Sequence, residues 1–150
     1  KTYATPQTTP REIIEQKKQV AIEELGLKLD KGLVKKKYSL YSDQSGDVHA
    51  AVAISKRYVR SEIFYWYAYH EVQRQFLSEA ATGCMLFGMV DLDVNFSVPY
   101  AKLEELREKL SSTVREDGRE YKHIFIYVDG NKYTMRLRGG EEMDLSSYKI

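Results

Sequence analysis

A chain of 150 residues with 43% hydrophobic and 30% charged residues has the size and composition of a single soluble domain with a hydrophobic core. Its net charge of +1 excludes a uniformly basic protein, so a nucleic-acid-binding surface would have to be local and balanced by acidic groups elsewhere. The one cysteine, Cys84, excludes an internal disulfide and indicates a reduced, cytoplasmic setting. No apolar run approaches the roughly 20 residues of a membrane-spanning helix, so we expect no membrane partner.

The N-terminal part predicts a polar arm followed by a helix. Residues 1–9 are polar and indicate a flexible arm or linker. Thr9 is the predicted N-cap of the helix, with Pro10 as its first residue and Glu12 completing a capping box. Gly26 is predicted to end the helix, whose apolar stripe indicates packing on a sheet.

A lysine-rich connection and a hairpin follow the helix. The lysine run at residues 35–37 could contact phosphates, but a solvated edge of the fold is the favoured interpretation. Predicted strands at residues 38–41 and 48–54 flank a turn that contains Gly46, since glycine can adopt the positive φ that such turns require. The basic residues Lys56, Arg57 and Arg60 come at the end of the second strand and predict contacts with phosphates.

The central strand of the prediction covers residues 64–69. Alternation divides its side chains into one face with Phe64, Trp66 and Ala68 and another with Tyr65, Tyr67 and Tyr69. We assign Phe64 and Trp66 to the core. The tyrosine face has two interpretations: a platform on which Tyr65 and Tyr67 stack with bases, or an ordinary core layer. The pattern favours the core layer.

The sequence after the central strand predicts the other elements of the domain. Residues 70–82 predict a helix that exposes Arg74, and two apolar strands and a third helix follow it. The turn Asp129-Gly130 is the strongest hairpin signal in the chain and joins the last two predicted strands. We therefore predict a single α+β domain over residues 10–150, with a central mixed β-sheet, flanking helices and a C-terminal β-hairpin.

The histidines offer little catalytic potential. His49, His70 and His123 lie on three separate predicted elements, and none has metal-ligand spacing to another histidine or to the cysteine. No metal site is therefore predicted from them. His70 stands beside a helix start, where a capping role is favoured over that of a catalytic base.

Acidic residues carry a weak enzyme hypothesis. Asp91 and Asp93 follow a buried strand and could hold a divalent cation with a third carboxylate. Glu120 and Lys122 have the acid-x-lysine spacing of metal-dependent nucleases. The alternative is favoured, because such tripeptides occur by chance in most chains this charged: Asp91 and Asp93 shape a turn, and Glu120 and Lys122 are solvated.

The order of these elements resembles the core of the restriction-endonuclease-like fold, in which a lysine-ended strand, an aromatic strand, a helix, an apolar strand and an Ile/Val-Pro strand follow one another. The matching segments here are Ala53 to Tyr58, Tyr65 to Tyr67, Met85 to Gly88 and Phe96 to Pro99. The resemblance implies a DNA-interacting domain. It also implies an incomplete catalytic motif, because Ile54 stands where the family has an acid and only Lys56 matches. The Tyr-Trp…His strand is similar to one in bacterial proteins associated with defence against foreign DNA.

We therefore predict a nucleic-acid-interacting domain of a bacterial restriction or defence protein, with DNA as the favoured partner. The predicted binding residues are Lys56, Arg57, Arg60, Tyr65, Tyr67 and Arg74. Because the chain opens on Lys1 rather than methionine, we also expect partner domains of a longer protein. No cofactor is predicted. One alternative is a metal-dependent nuclease, which would need Mg²⁺, and another is a protein-interaction or structural domain.

Overall fold

Two β-sheets that share one buried cluster form the framework of the protein. The structure is a computed structural model and describes residues 10–150, so the arm predicted for residues 1–9 and the cap predicted at Thr9 lie outside the described residues. Helices flank the β-structure, which confirms the predicted α+β class. The mixed sheet that the sequence predicts corresponds to the first of the two sheets. The aromatic strand that was predicted as its central strand belongs to the second sheet instead.

The helices of residues 10–150 are α1 (Arg11–Leu29), α2 (Glu71–Ser78) and α3 (Tyr100–Leu106). The strands are, in chain order, β1 (Val34–Lys37), β2 (Leu40–Ser42), β3 (Val48–Ser55), β4 (Arg57–Val59), β5 (Ile63–His70), β6 (Thr82–Met89), β7 (Asn95–Pro99), β8 (Ser112–Val114), β9 (Glu120–Asp129), β10 (Lys132–Arg136) and β11 (Glu142–Asp144). The first sheet has the order β1-β2-β3-β6-β7, with β3 and β6 parallel. The second has the order β11-β10-β9-β5-β4, and β8 also pairs with β9.

None of the three helices α1, α2 and α3 combines the length and the apolar character needed to cross a lipid bilayer.

Alternate residues of the first sheet pack on opposite sides of it. One side faces α1 and forms a buried cluster of Ala21, Ile22, Leu25, Tyr41, Ala50, Val52, Cys84 and Leu86. The other side faces the second sheet and contributes Met85, Phe87 and Met89 to a larger cluster with Tyr65, Tyr67, Tyr69, Ile124 and Ile126. Burial raises the pKa of the Cys84 thiol, in keeping with its place in the core.

The tyrosine face of β5 belongs to the core, which confirms the favoured interpretation of that face as a core layer. The tyrosine side chains are the inner face, with 0% of Tyr65 and 2% of Tyr67 exposed. The Tyr67 hydroxyl donates a hydrogen bond to the Gly88 carbonyl at 2.9 Å. Phe64 and Trp66 belong to neither of the two clusters and point to the outer side of the second sheet. Phe64 is nevertheless buried, with 7% exposed, in keeping with its assignment to the core. The assignment of Trp66 to the core was wrong, because alternation separates two faces without showing which one meets the first sheet.

The ends of α1 also differ from the prediction. Pro10 occupies the N-cap position instead of the first helical position. The helix continues past Gly26 to Leu29, and Asp30 ends it in the left-handed conformation with φ of 55°. Gly26 serves close packing instead, since a Cβ there would lie 2.7 Å from the Lys31 carbonyl oxygen.

The turn between β2 and β3 is organised by the Asp43 carboxylate. Its Oδ1 accepts a hydrogen bond from the Val48 amide at 3.0 Å, and its Oδ2 accepts one from the Ser45 hydroxyl at 2.6 Å. Gly46 has φ of 81°, as its predicted place in the turn requires. These hydrogen bonds, that of Ser45 above all, lower the pKa of Asp43 below its ordinary value.

The lowered pKa of Asp43 predicts a pH-dependent stability. A carboxylate whose pKa is lower in the folded state stabilises the fold above its unfolded-state pKa of about 3.9. That contribution is lost as the pH falls through the folded-state pKa. Asp43→Asn should therefore lower the melting temperature at neutral pH, and the difference from the native chain should shrink below about pH 4.

Circular dichroism melting curves across this pH range would measure the effect of Asp43→Asn. The exposed carboxylate of Asp47 in the same turn supplies the control, as Asp47→Asn should leave the curves nearly unchanged. A deficit in melting temperature that stays constant down to about pH 2.5 would show that Asp43 does not act through its charge.

Candidate nucleic-acid interface

The outer side of the second sheet carries a band of aromatic rings. We call it the outer aromatic face; it consists of Tyr58, Phe64, Trp66, Tyr121, His123, Phe125 and Tyr127. Strand pairing sets Phe64 opposite both Tyr58 and Tyr127, and Trp66 opposite Phe125. All seven side chains except Phe64 are half-buried, and neither buried cluster of residues 10–150 includes any of them. The face is therefore open to a partner outside the core.

Contacts between neighbouring rings hold this face in place. Phe64 contacts three of the other rings, with centroids 5.4 Å from Tyr58, 5.3 Å from Tyr127 and 6.0 Å from Phe125. His123 and Phe125 have nearly parallel rings with centroids 6.2 Å apart. These separations fall in the favourable range for aromatic pairs, each of which contributes about 0.5–1.5 kcal/mol. The rings are therefore ordered before any partner binds.

A chain of hydrogen bonds fixes the middle of the face. Trp66 Nε1 donates to His123 Nδ1 at 2.9 Å, and His123 Nε2 lies 2.7 Å from the Thr113 hydroxyl oxygen. An indole N–H can only donate, so Nδ1 must accept and the proton of the neutral imidazole lies on Nε2. The centre of the outer aromatic face is thus uncharged, with Trp66 and His123 held in one orientation.

Cationic side chains lie over the rings at one end of the face. Lys56 Nζ is 5.5 Å from the centroid of Tyr58, and the Arg60 guanidinium is 5.8 Å from that of Phe64. No carboxylate of residues 10–150 lies within ion-pair distance of either group. A groove of about 280 Å³ opens beside this end, lined by Lys56, Tyr58 and Trp66 among others. Two predicted phosphate-binding residues therefore lie next to the rings at this end of the face.

Arg136 is a third cation on the face, but it is already neutralised. Its guanidinium lies 3.7 Å from the centroid of Tyr127, and it donates to both carboxylate oxygens of Glu62 at 2.7 and 2.6 Å. The Glu62 carboxylate, held by these bonds, has its pKa lowered. Arg136 is thus suited to orient the Tyr127 ring and less suited to bind a phosphate.

The prediction that Tyr65 and Tyr67 stack with bases was wrong, because both rings are enclosed between the two sheets. The Tyr65 hydroxyl donates to Asp91 Oδ1 at 2.7 Å. Burial, and then this bond to Asp91, raise the pKa of Tyr65. Arg57, placed with the phosphate-binding cations, also contacts Asp91, with 2.7 Å between Nε and Oδ2. Arg57, Tyr65 and Asp91 therefore form an internal polar cluster.

Arg74 is likewise engaged within the protein. Its guanidinium makes a bidentate contact with Glu104 at 2.7 and 3.1 Å and a further one with Glu71 at 3.1 Å. The hydrogen bond from Arg74 lowers the pKa of Glu104. This arrangement ties α2 to α3, and we therefore leave Arg74 out of the candidate interface.

The acidic residues proposed for catalysis do not come together. Asp93 is fully exposed and pairs with Lys17 at 2.9 Å, whereas Asp91 holds Arg57. Within residues 10–150, no three His, Cys, Asp or Glu side chains are grouped so that they could hold a metal ion. The hypothesis of a metal shared by Asp91, Asp93 and a third carboxylate was therefore wrong.

Glu120 and Lys122 lie at the far end of the second sheet. The strand pair of Tyr65 is Ile126, and six residues of β9, about 20 Å, separate Ile126 from Glu120. Glu120 accepts from Arg107 at 3.4 Å and lies 3.8 Å from Lys122. This acid-x-lysine pair therefore belongs to a local ion-pair network, remote from Asp91.

The other two histidines have structural partners. His70 is the N-cap of α2, where it forms a capping box with Gln73, so its predicted capping role is confirmed. His49 stacks on Phe76 with centroids 3.9 Å apart and makes a 2.6 Å hydrogen bond with the Phe76 carbonyl oxygen. Neither histidine is available as a catalytic base in this arrangement.

The lysine run at residues 35–37 lies on β1, an exposed edge strand of the first sheet. Lys35 Nζ is 3.9 Å from a Glu15 carboxylate oxygen. Lysines on an edge strand discourage pairing with other chains, which agrees with the favoured interpretation of a solvated edge.

Most of the outer aromatic face was missed at the sequence level, although a signal for it exists. In β9, Tyr121, His123, Phe125 and Tyr127 occupy every second position, which places four rings on one face of a strand.

Comparison of this chain with protein-family models, with curated proteins and with solved structures finds no match.

Proposed function

We propose that this domain binds nucleic acid through the outer aromatic face together with Lys56 and Arg60. The observation that carries the proposal is the position of these two cations, without carboxylate partners in residues 10–150, at the outer aromatic face: Lys56 lies over the half-buried Tyr58 ring and Arg60 over the buried Phe64 ring. Phosphates are bound by such cations, and bases stack on aromatic rings with about 1–3 kcal/mol each. Of the predicted phosphate contacts, those of Lys56 and Arg60 are thus kept, and stacking moves from the tyrosine face of β5 to its opposite face.

We also propose the kind of protein to which this domain belongs. The resemblance to restriction-endonuclease-like domains implies the order of elements from β3 to α3, but the aromatic strand β5 lies in the second sheet and not in the sheet of β3, β6 and β7. Together with that resemblance, a nucleic-acid-binding face supports a domain of a cytoplasmic bacterial restriction or defence protein. Binding, rather than cleavage, is the activity that the geometry favours, since the candidate acids are separated.

Fluorescence anisotropy with labelled oligonucleotides would test the proposal. The probes are mixed-sequence DNA and RNA of about 20 nucleotides, longer than the 4–16 nucleotides that one such surface covers, and the matching DNA duplex. Binding should weaken as salt rises from about 50 to 200 mM, because phosphate contacts release counterions. Absence of binding to every probe at low salt would contradict the proposal and favour a protein-interaction domain.

A matched pair of double variants would locate the binding surface. Lys56→Ala/Arg60→Ala should raise Kd about tenfold or more and reduce the salt slope by about 1.5, since each phosphate contact contributes about 0.7 to 0.9. Lys36→Ala/Lys37→Ala removes the same charge from the exposed strand β1 and should change Kd little. Equal losses in the two double variants would indicate a general charge effect instead of a defined site.

A further inference from the structure

The four β9 rings of the outer aromatic face have a spacing that a duplex does not match. Side chains on one face of a strand recur about every 6.6 Å, twice the strand rise per residue. The measured ring separations are 5.1 Å for Tyr121 to His123 and 6.2 Å for His123 to Phe125. Bases in a duplex follow one another at about 3.4 Å and cover each other's faces. Successive bases can therefore stack on successive rings only after the nucleic acid strand has been extended and its bases separated.

Cationic side chains lie near both ends of the row of four β9 rings, Tyr121, His123, Phe125 and Tyr127. Tyr127 pairs across the sheet with Phe64, over which Arg60 lies. At the other end Tyr121 pairs with His70, whose pKa is lowered by burial and by the nearby charges of Arg115 and Arg119. Arg119 is neutralised by Asp117 at 2.6 Å, whereas Arg115 has no ion pair with another described residue. Between these ends the rings of Tyr121, His123 and Phe125 span about 13 Å of β9.

From this spacing we infer that the outer aromatic face takes an extended single strand along β9, about three nucleotides long, and not a duplex. The inference rests on the proposed function. In this arrangement the bases stack on Tyr121, His123 and Phe125, and the flanking phosphates meet Arg115 at one end and Arg60 at the other. The Tyr127 ring, which Arg136 already covers, takes no base. Because the Trp66–His123–Thr113 hydrogen bonds already order the central rings, little side-chain freedom is lost when the strand binds.

Three probes with equal numbers of phosphates separate base stacking from charge. They are an oligothymidylate of about eight nucleotides, an abasic strand of the same length and a short hairpin duplex. At matched salt, the oligothymidylate should bind about tenfold or more tightly than the other two. Trp66 is the only tryptophan of the chain, so its fluorescence should be quenched by the base-bearing strand and not by the abasic one.

Two variants of one ring then test stacking directly. Phe125→Leu keeps an apolar side chain and should weaken binding of the oligothymidylate about tenfold, the contribution of one stacked base, without changing binding of the abasic strand. Phe125→Tyr retains the ring and should preserve binding. The comparison with the abasic strand requires no variant, so the inference can still be tested if Phe125→Leu fails to fold.

Different experimental results would contradict the single-strand inference and the proposed function. Equal binding of duplex, abasic strand and oligothymidylate, still weakened by Lys56→Ala/Arg60→Ala, would overturn the single-strand inference and leave nucleic-acid binding intact. No binding of any of the three probes at low salt would overturn both.

Discussion

Truncation of Tyr67 to alanine is expected to lower the free energy of unfolding by about 3–5 kcal/mol, the range for large aromatic side chains in a core. The Tyr67 ring is 2% exposed and contacts Phe87 with centroids 4.9 Å apart. Its hydroxyl also satisfies the Gly88 carbonyl. Tyr67→Phe should lower the free energy of unfolding by only about 1 kcal/mol, because it removes the hydrogen bond and keeps the ring.

Trp66, the preceding residue in β5, is the matched comparison. Its side chain lies on the outer aromatic face, so Trp66→Ala should lower the free energy of unfolding by only about 1–2 kcal/mol. It should also weaken nucleic-acid binding by about 1–3 kcal/mol, because it removes the Trp66 Nε1 hydrogen bond that orients His123 for stacking. Urea unfolding followed by circular dichroism gives both stabilities. If Trp66→Ala proved as destabilising as Tyr67→Ala, the outer aromatic face would have to be part of the core.

Gly83→Ala is the second substitution with a large expected effect. A Cβ at this position would lie 2.5 Å from the Leu77 carbonyl oxygen and 3.1 Å from the Tyr100 Cβ. The first of these is backbone at the end of α2, so it can yield only if the helix moves away from β6. We expect a loss of about 1–3 kcal/mol of unfolding free energy, as in overpacked cores.

Gly32→Ala supplies the control for this substitution. No atom lies within 4 Å of a Cβ at Gly32, and its backbone is outside the left-handed region. Alanine should therefore be neutral or should stabilise the fold by about 0.4–1 kcal/mol, through the lower entropy of the unfolded chain. Thermal unfolding of the two variants side by side measures the difference. A Gly83→Ala protein as stable as the Gly32→Ala protein would mean that α2 is free to shift.

Local signals in the sequence predicted local structure correctly. Gly46 and the Asp129-Gly130 turn are at the hairpins they indicated, since both glycines supply the positive φ that a tight turn needs. His70 was assigned to the start of α2 because its position precedes an apolar periodic stretch. Such features depend on a few neighbouring residues, which a sequence displays directly.

The candidate site depended on information that the sequence does not display. Both faces of β5 are large and aromatic, so their pattern is the same whether the tyrosines or Trp66 face the core. That choice is made by the pairing of β5 with β9 and by contact with β6, which join distant segments. The engagement of Arg57 by Asp91 and of Arg74 by Glu104 is equally non-local. Hence the cations were identified, but those free to bind a phosphate could not be separated from those already paired.

The pairing of β5 with β9 also bears on how the protein folds. These two strands are separated along the chain by α2, β6, β7, α3 and β8. Closing so long a loop loses entropy before its contacts form, so high contact order of this kind slows folding. A nascent chain that ends before β9 therefore has no complete aromatic face. It leaves the edge of β5 that pairs with β9 open to aggregation until synthesis reaches residue 129.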